Sequence, residues 1–238
     1  MPSKEDHHVV GVDGSPDGWV AFEVQRGILV SLTSHADIES LTASFPGDGV
    51  VFGVDIPLAF PEGRKHRAAE TQGKKILGTF SSSLFYTPPR DVLEIDSYSD
   101  ANEHSKAAYG HGVSQQSFAL RHKILEAVEY LEKTGDTRLY EVHPELSFKY
   151  LAETFGGEIT ASKKTWSGAA ERYRFLEKVD LAPPLQAVSG LGKETVDDVL
   201  DSAVAAWSAL RIDADEAVQI GKAAASSPGN SSLGIIFA

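Results

Sequence analysis

The stretch GVVFGVDIPLAF, Gly49 to Phe60, constrains the fold more than any other part of the chain. It is a nearly continuous apolar run, the pattern of a β-strand buried on both faces rather than one alternating between core and solvent. Its single charge is Asp55, and Pro57 just beyond ends ladder pairing there. A carboxylate at the end of a buried strand must be solvated, paired or metal-bound. Earlier, VVGVDG sets Asp13 in the same kind of place, so GVDG and GVDI are near echoes. No common period surrounds them, and they read as neighbouring strands ending at one sheet edge rather than as an internal repeat.

The remaining pattern is αβ. After Asp13-Gly14, GWVAFEVQRGILVSLT reads as a hairpin turning at QRG, and HADIESLTASF has helical spacing at Ile38, Leu41 and Phe45. Strand, hairpin, helix, buried strand implies a mixed sheet. From about Arg64 to Lys133 the chain is mostly helical or irregular. There SSSLFYTPPRDVL reads as a surface loop and SQQSFALRHKILEAVEYLEK as one amphipathic helix, with Phe118, Ile124, Leu125, Val128 and Leu131 inward. A strand follows through Leu139, Tyr140 and Val142, then a helix capped by Ser162. A C-terminal helix over KETVDDVLDSAVAAWSALRI has Val196, Val199, Leu200, Ala203 and Trp207 facing the core. The tail PGNSSLGIIFA has turn residues and then a short closing strand.

Composition narrows the chemistry. At 238 residues the chain suits one large domain with an insertion, and no apolar run approaches the ~20 residues of a membrane span. MPSKEDHHVV lacks the basic segment and apolar core of a signal peptide, so the chain reads as cytoplasmic. With no cysteine, any metal site must use oxygen and imidazole ligands, which favours Mg²⁺ or Mn²⁺. A net charge of −12 argues against loose affinity for nucleic acid, yet acidic clusters that hold divalent ions look anionic until the ions bind.

Five acids stand out: Asp13 and Asp55 at strand ends, Glu141 in YEVHPE, and Asp198 with Asp201, three apart on one face of the C-terminal helix. Gathered carboxylates raise one another's pKa unless a cation intervenes. Two metals about 3.5–4 Å apart would clamp the attacking and leaving oxygens of a phosphodiester. Four of the acids also have a plainer reading: a turn at Asp13-Gly14, a polar strand face for Glu141, His143 and Glu145, a solvated or dipole-favouring helix end for Asp198 and Asp201; Asp55 before Ile-Pro is less easily explained by a turn. Gly11 and Gly14 read as keeping the strand end slim for metal and phosphate. Lys163, Lys164, Arg67, Lys123 and Arg172 are candidate phosphate contacts, or ordinary surface cations. His143 is a candidate base or ligand-orienting group, or structural; Phe80, Phe85 and Tyr86 can stack on bases, or form a lid or subunit contact.

VVGVDGSPDGWV, GVDIPLAFPEG, YEVHPELSF, SKKTWSG and DDVLDSAVAAWSA together resemble domain-of-unknown-function family 429, described as predicted nucleases of the RNase H-like fold. The helix DDVLDSAVAAW is also similar to the Asp-x-x-Asp-Ala helix of RuvC-type resolvases, with Ser202 for the alanine. The resemblance implies residues 1–238 as a single RNase H-like domain: a five-stranded mixed sheet, its first three strands antiparallel, flanked by helices, with a mostly helical insertion at about 64–133. It implies Asp13, Asp55, Asp198 and Asp201 as metal ligands, Glu141 as an extra catalytic acid, and a Mg²⁺- or Mn²⁺-dependent two-metal nuclease acting on nucleic acid. No membrane partner is implied, and a homo-oligomer is compatible with this reading. Two alternatives stay open: an ATP-dependent phosphotransferase of the actin and sugar-kinase kind, and a non-catalytic RNase H-like binding protein.

Overall fold

The computed structural model describes residues 7–184, 194–221 and 236–238. In chain order its elements are β1 (His8–Ser15), β2 (Gly18–Gln25), β3 (Ile28–His35), α1 (Ile38–Ser44), β4 (Val50–Val54), α2 (Ala68–Leu77), α3 (Arg90–Leu93), α4 (Tyr98–Tyr109), α5 (Gln115–Ala119), α6 (Arg121–Thr134), β5 (Leu139–Glu141), α7 (Pro144–Thr154), α8 (Trp166–Glu177) and α9 (Val196–Asp213). Two short strands, β6 (Gln219–Ile220) and β7 (Ile236–Phe237), come last. The turn part of the expected C-terminal strand motif, before Ile236, lies outside the described residues.

The chain divides into two compact units: Met1–Asp55 with Thr137–Val218 and Phe237–Ala238, and Ile56–Asp136 with Gln219–Ile236. Residues 64–133, read as an insertion, fall within the second unit. The first holds a five-stranded sheet in the order β3-β2-β1-β4-β5, flanked by helices. β1, β2 and β3 are antiparallel in sequence, while β4 runs parallel to β1 and β5 parallel to β4. The strands at the parallel end are shorter than the apolar runs suggest: β4 stops at Val54 and β5 has three residues.

Residues i and i+2 of a strand share a face, so Val9, Gly11 and Asp13 lie on one side of β1. Register sets Gly11 beside Gly53 of β4 and Phe22 of β2. This side receives α9. A Cβ on Gly11 would lie 2.0 Å from the Ser202 carbonyl oxygen and 2.2 Å from the Ala206 nitrogen; one on Gly53 would lie 2.5 Å from the Ala205 carbonyl oxygen. The paired glycines thus form a notch for a helix backbone, and the small residues of α9 complete the fit. Gly11 therefore makes room for a helix, not for a ligand as its place beside Asp13 suggested. Around this contact Val9, Phe22, Val24, Phe148, Leu151, Leu200 and Val204 form the core.

Other local expectations change for identifiable reasons. Val196 is exposed rather than inward, because Thr195 caps α9 and leaves Val196 at its first position. Thr165, not Ser162, caps α8. In the second unit the long amphipathic run breaks at Leu120 into α5 and α6, and Leu125 is only partly buried. The supposed surface loop there buries Thr87, Pro88 and Pro89, since the Thr87 N–H and hydroxyl both donate to buried Glu70. No described helix is long and apolar enough to cross a membrane.

Candidate metal centre

Strand register and one helix turn assemble the site. Val12 and Val54 are the last paired residues of β1 and β4, and the Asp55 N–H donates to the Val12 carbonyl at 2.8 Å. Asp13 and Asp55, each two residues past a notch glycine, project on the α9 side. On α9, Thr195 and Asp198 form a reciprocal capping box: Asp198 N–H donates to the Thr195 hydroxyl, and Thr195 N–H to Asp198 Oδ2 at 2.8 Å. One turn later Asp201 sits beside Ser202, whose carbonyl lies over Gly11. Oxygens of Asp13, Asp55 and Asp201 all come within 4.8 Å of one another.

Asp13 and Asp201 are buried and Asp55 is half-buried. Asp13 Oδ1 accepts from the Gly14 N–H at 2.7 Å, and Asp201 Oδ2 accepts from Lys163 Nζ at 2.5 Å. Asp201 Oδ1 is shut off from solvent without a hydrogen-bond partner. Burial, then the charges of Asp55 and Asp201, hold the Asp13 carboxyl well above the usual range. Burial and Asp201 do the same to Asp55. Burial pushes Asp201 up to about 6, although Lys163 pulls it down by charge and hydrogen bond. For Lys163, Asp201 and the other two carboxylates outweigh desolvation and raise the ammonium above its ordinary value.

These residues fit a hard divalent cation. The donor set is all carboxylate, and one buried donor oxygen has no other partner. Oxygens on opposite sides of an ion bound at ~2.1 Å are about 4.2 Å apart, so a spread of up to 4.8 Å closes on an ion with small side-chain adjustments.

The other expected residues are placed differently. Asp198 is committed to the helix cap and adds to the field that raises Asp13. Glu141 is buried and level with Val54 of β4, so alternation puts it on the opposite sheet face from Asp55; it reaches Asp55 only as a like charge. The alternating strand expected of YEVHPE ends at Glu141. His143 occupies the N-cap position of α7 and Pro144 opens the helix. Glu145 is therefore a buried first-turn residue, paired with Arg172 through contacts of 2.7–3.1 Å. Arg172, read as a phosphate contact, is instead buried and also donates to the carbonyls of Ala161 and Gly168. Lys164 is exposed beside Lys163. Arg67 and Lys123 belong to the second unit, where Arg67 is buried against Glu70 at 2.7 Å, not presented to solvent as a phosphate contact would be.

Sequence reasoning found Lys163 but not its partner, and missed how its loop is held. Glu171 accepts from the N–H groups of Thr160 and Ala161, and Arg172 fixes the Ala161 carbonyl, two residues before Lys163. The Pro of HPE was the available signal: it marks a helix start, which turns Glu145 inward.

No curated protein and no solved structure matches the chain. The model of the family described as Protein of unknown function (DUF429) matches residues 11–225, a span that takes in Asp13, Asp55, Lys163 and Asp201, and the chain belongs to that family.

Proposed function

We propose that this chain is a divalent-metal-dependent phosphodiester hydrolase acting on nucleic acid, built on an RNase H-like fold. One observation carries the reading: Asp13, Asp55 and Asp201 converge from two parallel strand ends and a helix, with one buried carboxylate oxygen left without a partner. The fold reading is supported by the sheet order β3-β2-β1-β4-β5, antiparallel through its first three strands, with the acids at the ends of β1 and β4.

Asp13, Asp55 and Asp201 would hold Mg²⁺ or Mn²⁺, which supplies Lewis-acid polarisation of a phosphate oxygen and a water of lowered pKa. Three carboxylates and one ammonium leave a formal charge of −2, which one divalent ion neutralises. This balance favours one ion beside Lys163 over the two-ion arrangement expected from the acids alone. Lys163 then serves as the second cation of the site, its side chain 30% exposed and reachable by an anionic oxygen. Glu171 and Arg172 position its loop from behind. Burial strengthens these interactions relative to water.

The test is cleavage of labelled single-stranded, duplex and branched DNA and RNA with Mg²⁺ or Mn²⁺, comparing the natural chain with Asp55→Asn. Metal-dependent cleavage lost in the variant supports the reading. Cleavage undiminished in Asp55→Asn, or none with any substrate, overturns it.

A further inference from the structure

In the second unit, two pairs of adjacent residues each combine a buried anchor with a presented ring. Arg67 and Thr87 are the anchors, and both bind the wholly buried Glu70: its Oε1 accepts from Arg67 Nε at 2.7 Å, Thr87 N–H at 2.9 Å and Thr87 Oγ1 at 2.5 Å. Their chain neighbours His66 and Tyr86 are stacked, centroids 3.7 Å apart and planes 12° from parallel. His111 lies against His66 at 4.3 Å, tilted by 45°. Lys74 Nζ, one turn beyond Glu70 on α2, is 4.9 Å from the centre of the Tyr86 ring. Beside this group is a cavity of about 210 Å³, lined by His66, Tyr86, Thr87, His111, Ser105 and Ser114 among others.

The chemistry of the lining selects a ligand class. His66 Nδ1 and Glu70 Oε2 are shut off from solvent with no hydrogen-bond partner. An orphaned N–H costs more than an under-used acceptor, which favours the tautomer with the lone pair on Nδ1. Burial and then His111 keep His66 below the ordinary imidazole value, so the ring is neutral at neutral pH. The carboxylate of Glu70 and the ammonium of Lys74 close by offset one another, so the lining selects neither an anion nor a cation. Aromatic faces with unpartnered acceptors at the margin suit an uncharged flat ring that donates a hydrogen bond from its edge. The cavity is too small for a large ligand and adequate for a single ring system. The Glu70 network holds the rings in place before any ligand arrives, which lowers the ordering cost of binding.

We propose that this cavity binds a planar nitrogen heterocycle of nucleobase size against the His66, Tyr86 and His111 rings. The site does not depend on the phosphodiester reading.

The experiment follows the His66 and His111 ring resonances by NMR in the full chain, titrated with adenosine, guanosine, cytidine and uridine, with ribose 5-phosphate as the control. At least one nucleoside should shift both rings saturably, and the control should not. His111→Ala should weaken binding roughly five- to a hundredfold, the range for losing one stacking partner, with its melting temperature checked in parallel. Asp55→Asn, which loses metal under the proposal above, should still bind nucleoside, so the two readings fail separately. No shift with any nucleoside, an equal shift with ribose 5-phosphate, or undiminished binding in a folded His111→Ala protein overturns the site.

Discussion

Two buried ionic groups in the same unit differ in how completely they are closed. Glu145 and Arg172 form a one-to-one pair in which the guanidinium uses both carboxylate oxygens, and its spare donors reach the Ala161 and Gly168 carbonyls. Among the described residues, Asp13, Asp55 and Asp201 share a single ammonium, repel one another, and leave Asp201 Oδ1 without a partner. A closed pair holds the fold together. An open group costs stability until a cation fills it, so imbalance rather than burial distinguishes a binding site from structural wiring.

The sharpest way to break this contrast is to neutralise one member of the open group. Asp55→Asn should lower metal-dependent cleavage on the order of a hundredfold or more, since even outer partners of metal ligands cost 10–100-fold. Far-ultraviolet circular dichroism should be unchanged. Removing half of the closed pair should act on stability instead. Arg172→Met leaves Glu145 buried and uncompensated, and should cost about 3–5 kcal/mol in urea unfolding, with or without metal.

The open group also predicts a pH dependence opposite to that of a salt-bridged acid. Asp201 is raised to about 6, and Asp13 and Asp55 are raised as well, so the native state binds more protons than the unfolded chain. The contribution of Asp201 is therefore greatest below the unfolded carboxylate value of about 4 and is lost as pH rises through about 6, with Asp13 and Asp55 acting in the same direction. The metal-free protein should melt at progressively lower temperature over that window, and Mn²⁺ should restore the loss by binding only the folded state. Asp13→Asn keeps the Oδ1 that accepts from Gly14 and removes one repelling charge. It should stabilise the metal-free protein at pH 8, because burial and the charges of Asp55 and Asp201 hold the Asp13 carboxyl above its ordinary range, and the gain should shrink as pH falls toward 4. The smallest effect belongs to Asp198→Ala, which removes a capping partner: about 1 kcal/mol of stability, with metal affinity nearly unchanged.

How legible these features were depends on whether local pattern determines them. Asp13 and Asp55 could be read because each closes an apolar run, and Asp201 because its spacing on an amphipathic helix is periodic. The mixed character of the sheet followed from the strand, hairpin, helix, strand order, and its five strands from the family resemblance. Glu141 depended on register between β4 and β5, which no local signal encodes, and a one-residue difference in phase sends a side chain to the other face. Gly11 looked like a ligand-side glycine because its real neighbour, the α9 backbone, is almost two hundred residues away in sequence. Arg67 and Arg172 have the composition of phosphate contacts, and only tertiary partners reveal them as buried clamps. Lys163 lies in a loop, where no periodicity assigns a direction to its side chain.

Calorimetric titration of the metal-free protein with Mn²⁺ at pH 8, alongside Asp55→Asn and Arg172→Met at a temperature where both are folded, tests the central claim most directly. The account predicts one ion per chain for the natural protein, loss of binding in Asp55→Asn, and retained binding in Arg172→Met. Absence of binding at millimolar Mn²⁺, or binding undiminished in Asp55→Asn, would contradict it.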